Sequence, residues 1–215
     1  MQYSKMQNGN ELYFFIFILK ASDECTINEG ELKNNITKLK TEEIKTLGLY
    51  KSFRIHSDFI IWITSDNLDS FIAIKNQIKE FSFKYSLNLV DSYLSIYERS
   101  PYLKNSLHIE DQIKNSTRKY LIFYPMSKSN DWYLLPYEER KRIMDDHIRV
   151  AMSDENNKDI LSYTTYSFGI GDQEFVVYYE TDNLYSWMKI TQRLREVEAR
   201  KWITLETPIY VGIRI

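Results

Sequence analysis

Apolar positions along this chain repeat with two periods, and the switches between them predict its elements. Runs rich in β-branched and aromatic residues read as strands, and apolar residues at three- and four-residue steps read as helices. The first half predicts a strand near 12–20, a helix near 29–47 and a short strand near 49–55. A strand and helix within 58–81 and a strand near 87–98 complete it. The second half predicts a strand near 118–125, a helix near 136–152 and a strand near 159–167. A strand and helix within 174–197 and a final strand near 206–215 follow. Between the halves, SPYLKNSLHIEDQIKNST (100–117) is polar and turn-rich, as a connecting segment should be.

The pattern repeats at residue level. DFIIWITSDNLDSFIAIKNQIKEF (58–81) aligns without gaps on EFVVYYETDNLYSWMKITQRLREV (174–197), at a constant offset of 174 − 58 = 116. Asp66-Asn67-Leu68 matches Asp182-Asn183-Leu184, and Phe71 matches Trp187. In each copy a strand leads to an Asp-Asn pair whose side-chain oxygens can cap the next helix. Convergence on strand, cap and helix explains part of this, but the unbroken register favours internal duplication. Each half reads β-α-β-β-α-β, the ferredoxin-like order. The expected fold class is therefore α+β. Residues 1–115 and 116–215 form two ferredoxin-like halves that merge into a dimeric-barrel-like core.

Composition narrows the partners. With 43% hydrophobic and 15% aromatic residues, the chain can fill a packed core. Lys+Arg 28 against Asp+Glu 30 gives a net charge of −2, which provides no basic field for a nucleic-acid backbone. The apolar run from Tyr13 to Leu19 is too short to cross a bilayer, so no membrane partner is expected. Cys25 is the single cysteine, which precludes an intrachain disulfide or a thiolate cage. A reducing cytoplasm is expected, and the polar N-terminus lacks a signal peptide's basic start and apolar run.

One stretch raises a chemical question. In DWYLLPYEERKRIMDDHIRV (131–150), Pro136 suits a first helical turn, and Glu138 and Glu139 complement the positive end of the helix dipole. Ile143, Met144, His147, Val150 and Ala151 share one face, so His147 points toward apolar neighbours. Spacing alone leaves two readings open, a hydrogen-bonded core histidine or the proximal ligand of a haem iron. No second His or Cys stands three or four residues away, which argues against zinc.

The surrounding sequence carries a resemblance. FYPMSKSNDWYLLPYEERKRIMDDH (123–147), SFGIGDQEFVVYYETDNLYSW (167–187) and REVEAR (195–200) resemble the chlorite dismutase superfamily, which includes the coproheme decarboxylases. The resemblance is specific across 118–215. It implies paired ferredoxin-like halves, a homopentamer, and haem (haem b or coproheme) held by the C-terminal half. By position, His147 would ligate the iron, and Glu196 would accept a hydrogen bond from the other imidazole nitrogen. Trp132 and Tyr133 would line the pocket. Tyr124 matches the tyrosine that in coproheme decarboxylases becomes a radical and oxidises a propionate, with peroxide as co-substrate. Lys128 matches the lysine near that propionate.

Some positions depart from the pattern. Ser162 stands at the distal position, where chlorite dismutases carry Arg and many decarboxylases Gln. A neutral hydroxyl there predicts poor chlorite turnover. Glu198 stands where decarboxylases carry a propionate-anchoring serine, and its charge predicts repulsion of a carboxylate. The implied activity is peroxide-dependent coproheme decarboxylation. The alternatives are a non-catalytic haem carrier or sensor, and an oligomeric protein that keeps only the fold.

Overall fold

The computed structural model describes residues 11–22, 27–98, 100–102, 113 and 116–215. Cys25, most of the expected connecting segment and the 115/116 boundary therefore lie outside the described residues. In chain order the first half contains β1 (Leu12–Ala21), α1 (Glu29–Thr37), β2 (Ile44–Ser52), β3 (Phe59–Ser65), α2 (Asp69–Lys84) and β4 (Leu87–Tyr97). The second contains β5 (Tyr120–Lys128), α3 (Asn130–Leu134), α4 (Tyr137–Ser153), β6 (Leu161–Tyr166), β7 (Phe175–Thr181), α5 (Leu184–Leu194), β8 (Ile203–Leu205) and β9 (Tyr210–Arg214). Short 3-10 helices cover Glu155–Asn157 and Glu198–Trp202. Among the described residues, no helix is long and apolar enough to cross a membrane.

The pairings are antiparallel and follow the order β7-β6-β4-β1-β3-β2-β9-β5, and β5 pairs back onto β7 to close a barrel. Each half contributes the same internal order, β4-β1-β3-β2 and β9-β5-β7-β6. The halves join where β2 meets β9 and β4 meets β6. The fold is thus the duplicated α+β barrel that the repeated sequence implied. The copied strands Phe59–Ser65 and Phe175–Thr181 stand at the 116-residue offset. Their caps match too. Asn67 Oδ1 accepts from Asp69 N–H at 2.8 Å, and Asn183 Oδ1 accepts from Tyr185 N–H at 3.0 Å.

Strand alternation divides the core into two layers. Phe14, Ile16 and Ile18 of β1 point into the barrel with Trp62, Phe123, Tyr163 and Tyr178. Phe15, Phe17 and Leu19 point outward and are sealed by Leu32, Ile36, Ile74 and Ile78 of α1 and α2.

The structure departs from the expected elements at three places. The helix expected over 29–47 ends at Thr37. Turns bridge 38–43, and Ile44–Ser52 pairs with β3, so sheet pairing overrides the helical spacing. The helix expected over 136–152 is preceded by a separate short helix, α3. The strand expected over 206–215 starts only at Tyr210, after Pro208, which has no N–H to donate to a ladder.

Candidate functional site

The two halves dress their sheets differently. In the N-terminal half, α2 lies on β4 and α1 on β2. In the C-terminal half, the main contacts of α4 and α5 are with each other and with the 3-10 helices. The outer face of the C-terminal sheet is correspondingly more open. Ser162 and Thr164 on β6 are exposed and Tyr179 on β7 is half-exposed. Their counterparts on β2 and β3 are Leu47, Leu49 and Ile63, which join the apolar layer under the helices.

A small apolar cluster forms the opposite wall. Trp132 from α3, Ile143 from α4, and Val197 and Ala199 from the turn after α5 pack together, with Met144, Val150 and Trp202 around them. The expected inward face of α4 is therefore correct. His147 lies on that face, half-buried, and its Nδ1 is buried with no hydrogen-bond partner among the described residues. Burial holds its pKa below the ordinary histidine value, and the Lys128 charge nearby adds to the effect. The imidazole is thus kept neutral, the form that can donate a lone pair to a metal.

Lys128 ends β5 on the same wall. Its Nζ sits 3.5 Å above the Trp132 ring and 3.9 Å from Met144 Sδ. Burial pushes its pKa down to about 8. The acid beside it, Glu174, is already engaged. Its Oε2 accepts from Tyr133 O–H at 2.5 Å and from the Lys128 backbone N–H at 2.7 Å. Burial, followed by this bond, raises the Tyr133 pKa. Tyr133 is thus fixed by Glu174, while the lysine head has no salt bridge among the described residues. Arg140 adds a second cation close enough to act on the charge of Lys128, and its buried Nε also lacks a partner among the described residues.

On the sheet side, Tyr124 is 9% exposed, and burial raises its pKa well above the ordinary value. Its hydroxyl lies 3.4 Å from that of Tyr179. Ser162 is the cross-strand neighbour of Tyr179, on the same sheet face.

Two expectations meet a different geometry. Among the described residues Glu196 forms no hydrogen bond with His147. Its Oε2 pairs with Arg193 Nη1 at 2.5 Å, a contact three residues apart where α5 ends. Glu198 does not present a bare charge either. Arg142 Nη2 is 2.9 Å from its Oε2 and Lys201 Nζ is 3.7 Å from its Oε1, and the arginine bond holds its pKa below the ordinary value. The repulsion expected from sequence is offset by cations that spacing alone did not place beside it.

Sequence reasoning missed Glu174, Arg140 and Tyr179 as site residues. Arg140 was within reach, since it closes the Glu-Glu-Arg helix entry. Tyr179 stands in the copied strand, where strand periodicity carries no signal of a site role.

The residues present fit an iron porphyrin. A neutral imidazole, an aromatic and aliphatic wall, and two cations that form no salt bridge among the described residues suit a flat apolar macrocycle bearing an iron and carboxylates. Among the described residues no group of three His, Cys, Asp or Glu side chains could cage a bare metal ion.

Comparison with known proteins agrees with the fold. The chain is 30% identical over 212 residues to the coproheme decarboxylase of Mycolicibacterium smegmatis, covering 95% of this chain and 89% of that protein. A solved structure named as a chlorite dismutase superposes with a TM-score of 0.86 at 36% identity, covering 96% of each chain. A heme-binding protein from Thermus thermophilus shares the fold, with a TM-score of 0.79 at 19% identity over 95% of this chain and 91% of that one. The family model for chlorite dismutase matches residues 27–215, and the chain therefore belongs to the chlorite dismutase family.

Proposed function

We propose that this protein binds coproheme between the C-terminal sheet and its helices, and decarboxylates propionate side chains at the expense of hydrogen peroxide. The observation that supports this most strongly is the juxtaposition of His147 with Lys128 and Tyr124 around one opened sheet face. Kinship to a coproheme decarboxylase at 30% identity points the same way.

When bound, the iron porphyrin supplies a site where peroxide is converted to an oxidant. His147 holds the iron through one ring nitrogen. Glu196 is the proposed acceptor for the other, which requires it to leave Arg193. Trp132 and Tyr133 line the slot and exclude water. Lys128 and Arg140 orient a propionate by charge, which turns a diffusive encounter into a positioned one. Tyr124 loses an electron and its phenolic proton, then takes a hydrogen atom from the propionate side chain. A second electron leaves as the carbon–carbon bond breaks, giving carbon dioxide and a vinyl group. Per propionate, one hydrogen peroxide is reduced to two waters.

Ser162 supplies no guanidinium to a chlorite anion, which makes chlorite the poorer substrate. Association of copies, a pentamer by the family resemblance, is in keeping with the exposed Phe53 and Ile55 (60% and 80%). Native mass measurement checks that count.

Incubation with coproheme and peroxide, followed by product mass, tests the reaction. Two successive losses corresponding to carbon dioxide and two hydrogens are expected, and Tyr124→Phe should bind coproheme yet yield no product. Product from Tyr124→Phe at the wild-type rate would refute the tyrosine's role.

A further inference from the structure

The duplication supplies an internal control for the oxidised tyrosine. Phe17 pairs with Ile61 across β1 and β3, and Tyr124 pairs with Val177 across β5 and β7. Since 61 + 116 = 177, Phe17 is the N-terminal counterpart of Tyr124. By the same offset Ile63 corresponds to Tyr179, and the register partners Leu47 and Ser162 correspond in turn. Three apolar side chains in the half with closely packed helices, Phe17, Ile63 and Leu47, are thus replaced by three hydroxyls in the half with the open face. Core packing alone does not call for this, because the apolar versions fill the same sheet face in the first half.

The three hydroxyls run from the interior to water. Tyr124 is nearly buried, its hydroxyl 3.4 Å from that of Tyr179. Ser162 is the cross-strand neighbour of Tyr179 on the same face of the β6–β7 pair, and it is exposed. The rings are held as well. Tyr124 and Tyr179 stack with centroids 6.0 Å apart, and Tyr179 lies 4.2 Å from Trp187. Among the described residues no carboxylate forms a hydrogen bond with Tyr124; Glu206 acts on it through charge alone and is itself paired with Arg195 and Arg200.

We infer that Tyr179 is a positioning and proton-relay residue that carries the phenolic proton of Tyr124 through Ser162 to water when Tyr124 is oxidised. This deepens the decarboxylase reading and rests on it. Loss of an electron from a phenol makes its proton strongly acidic. In a buried site a retained proton would leave an uncompensated charge, which opposes the oxidation. Tyr124 O–H donates to Tyr179 Oη as Tyr179 O–H donates to Ser162 Oγ and Ser162 O–H donates to water. Tyr179 and Ser162 end neutral, one proton has entered water, and the electron has gone to the peroxide-derived oxidant. Ser162, which departs from the charged or amide residues of relatives, becomes the outer end of this hydroxyl chain.

Tyr179→Phe keeps the ring and removes only the hydroxyl. Coproheme should still bind with a wild-type spectrum, while product formation falls at least about a hundredfold, the low side of an acid–base contribution. Freeze-quench electron paramagnetic resonance of the Tyr124 radical should show a larger g-anisotropy in the variant, because the radical oxygen has lost a hydrogen-bond partner. A packing role would not move that readout. A second arm needs no porphyrin. With difluorotyrosine at position 124 of the cofactor-free chain, the ¹⁹F titration midpoint should rise in Tyr179→Phe, because the phenolate loses a hydroxyl that can donate to it. Equal rates, radical spectra and midpoints in wild type and variant would overturn the relay and leave decarboxylation standing. A wild type that makes no product overturns the decarboxylase reading and with it the relay, whatever the midpoints.

Discussion

The role proposed for Lys128 predicts a distinctive pH dependence of porphyrin affinity. Its pKa lies at about 8 instead of the ordinary 10.5, because the ammonium is buried over Trp132. The charge proposed to attract a propionate is therefore present below pH 8 and lost above it. About nine-tenths of the protein carries it at pH 7 and about one-tenth at pH 9. If carboxylate binding draws on the charged form, Kd rises about tenfold between pH 7 and pH 9, or about 1.4 kcal/mol. An ordinary exposed lysine would leave affinity flat over that range. The assay is fluorescence titration with iron-free coproporphyrin, so that hydroxide binding at iron does not intrude. Lys128→Met should bind more weakly at pH 7 and lose the step between pH 7 and 9. An unchanged step in that variant would refute the assignment.

Other consequences follow from the same wall. Glu174→Ala strands the Tyr133 hydroxyl and the Lys128 N–H, at a cost of about 1–3 kcal/mol, read as a lower urea midpoint with unchanged m-value. A midpoint equal to wild type would show that neither bond matters. Ile143→Ala opens a cavity beneath Trp132 and should cost about 2–5 kcal/mol by the same measure. Oxygen release from chlorite by the haem-loaded protein should be negligible beside that of an Arg-containing relative, and an equal rate would contradict the argument from Ser162.

The chain's sequence was most informative where local and global preferences agree. The copied strand, cap and helix were legible because Asn67 and Asn183 meet the same backbone need at the same offset. The α4 face was legible because Ile143, Met144 and Val150 recur at helical spacing and do pack together. The end of α1 was not, because residues 38–47 keep helical spacing yet gain more by pairing with β3. Charge partners were the least legible. Arg142 beside Glu198 depends on how α4 meets the turn after α5, and Arg193 beside Glu196 competes with a role toward His147. Tyr179 carried no signal in the sequence, and only the strand register placed it between Tyr124 and Ser162.

The central claim is that His147 ligates the iron of a porphyrin held in the C-terminal half. Its most direct test is titration of the purified protein with ferric coproheme, following the Soret band, in wild type and His147→Ala. The account predicts a saturable shift in the wild type that is lost in the variant and partly restored by added imidazole. A wild type without a saturable shift, or a variant with the same shift and affinity, would contradict it.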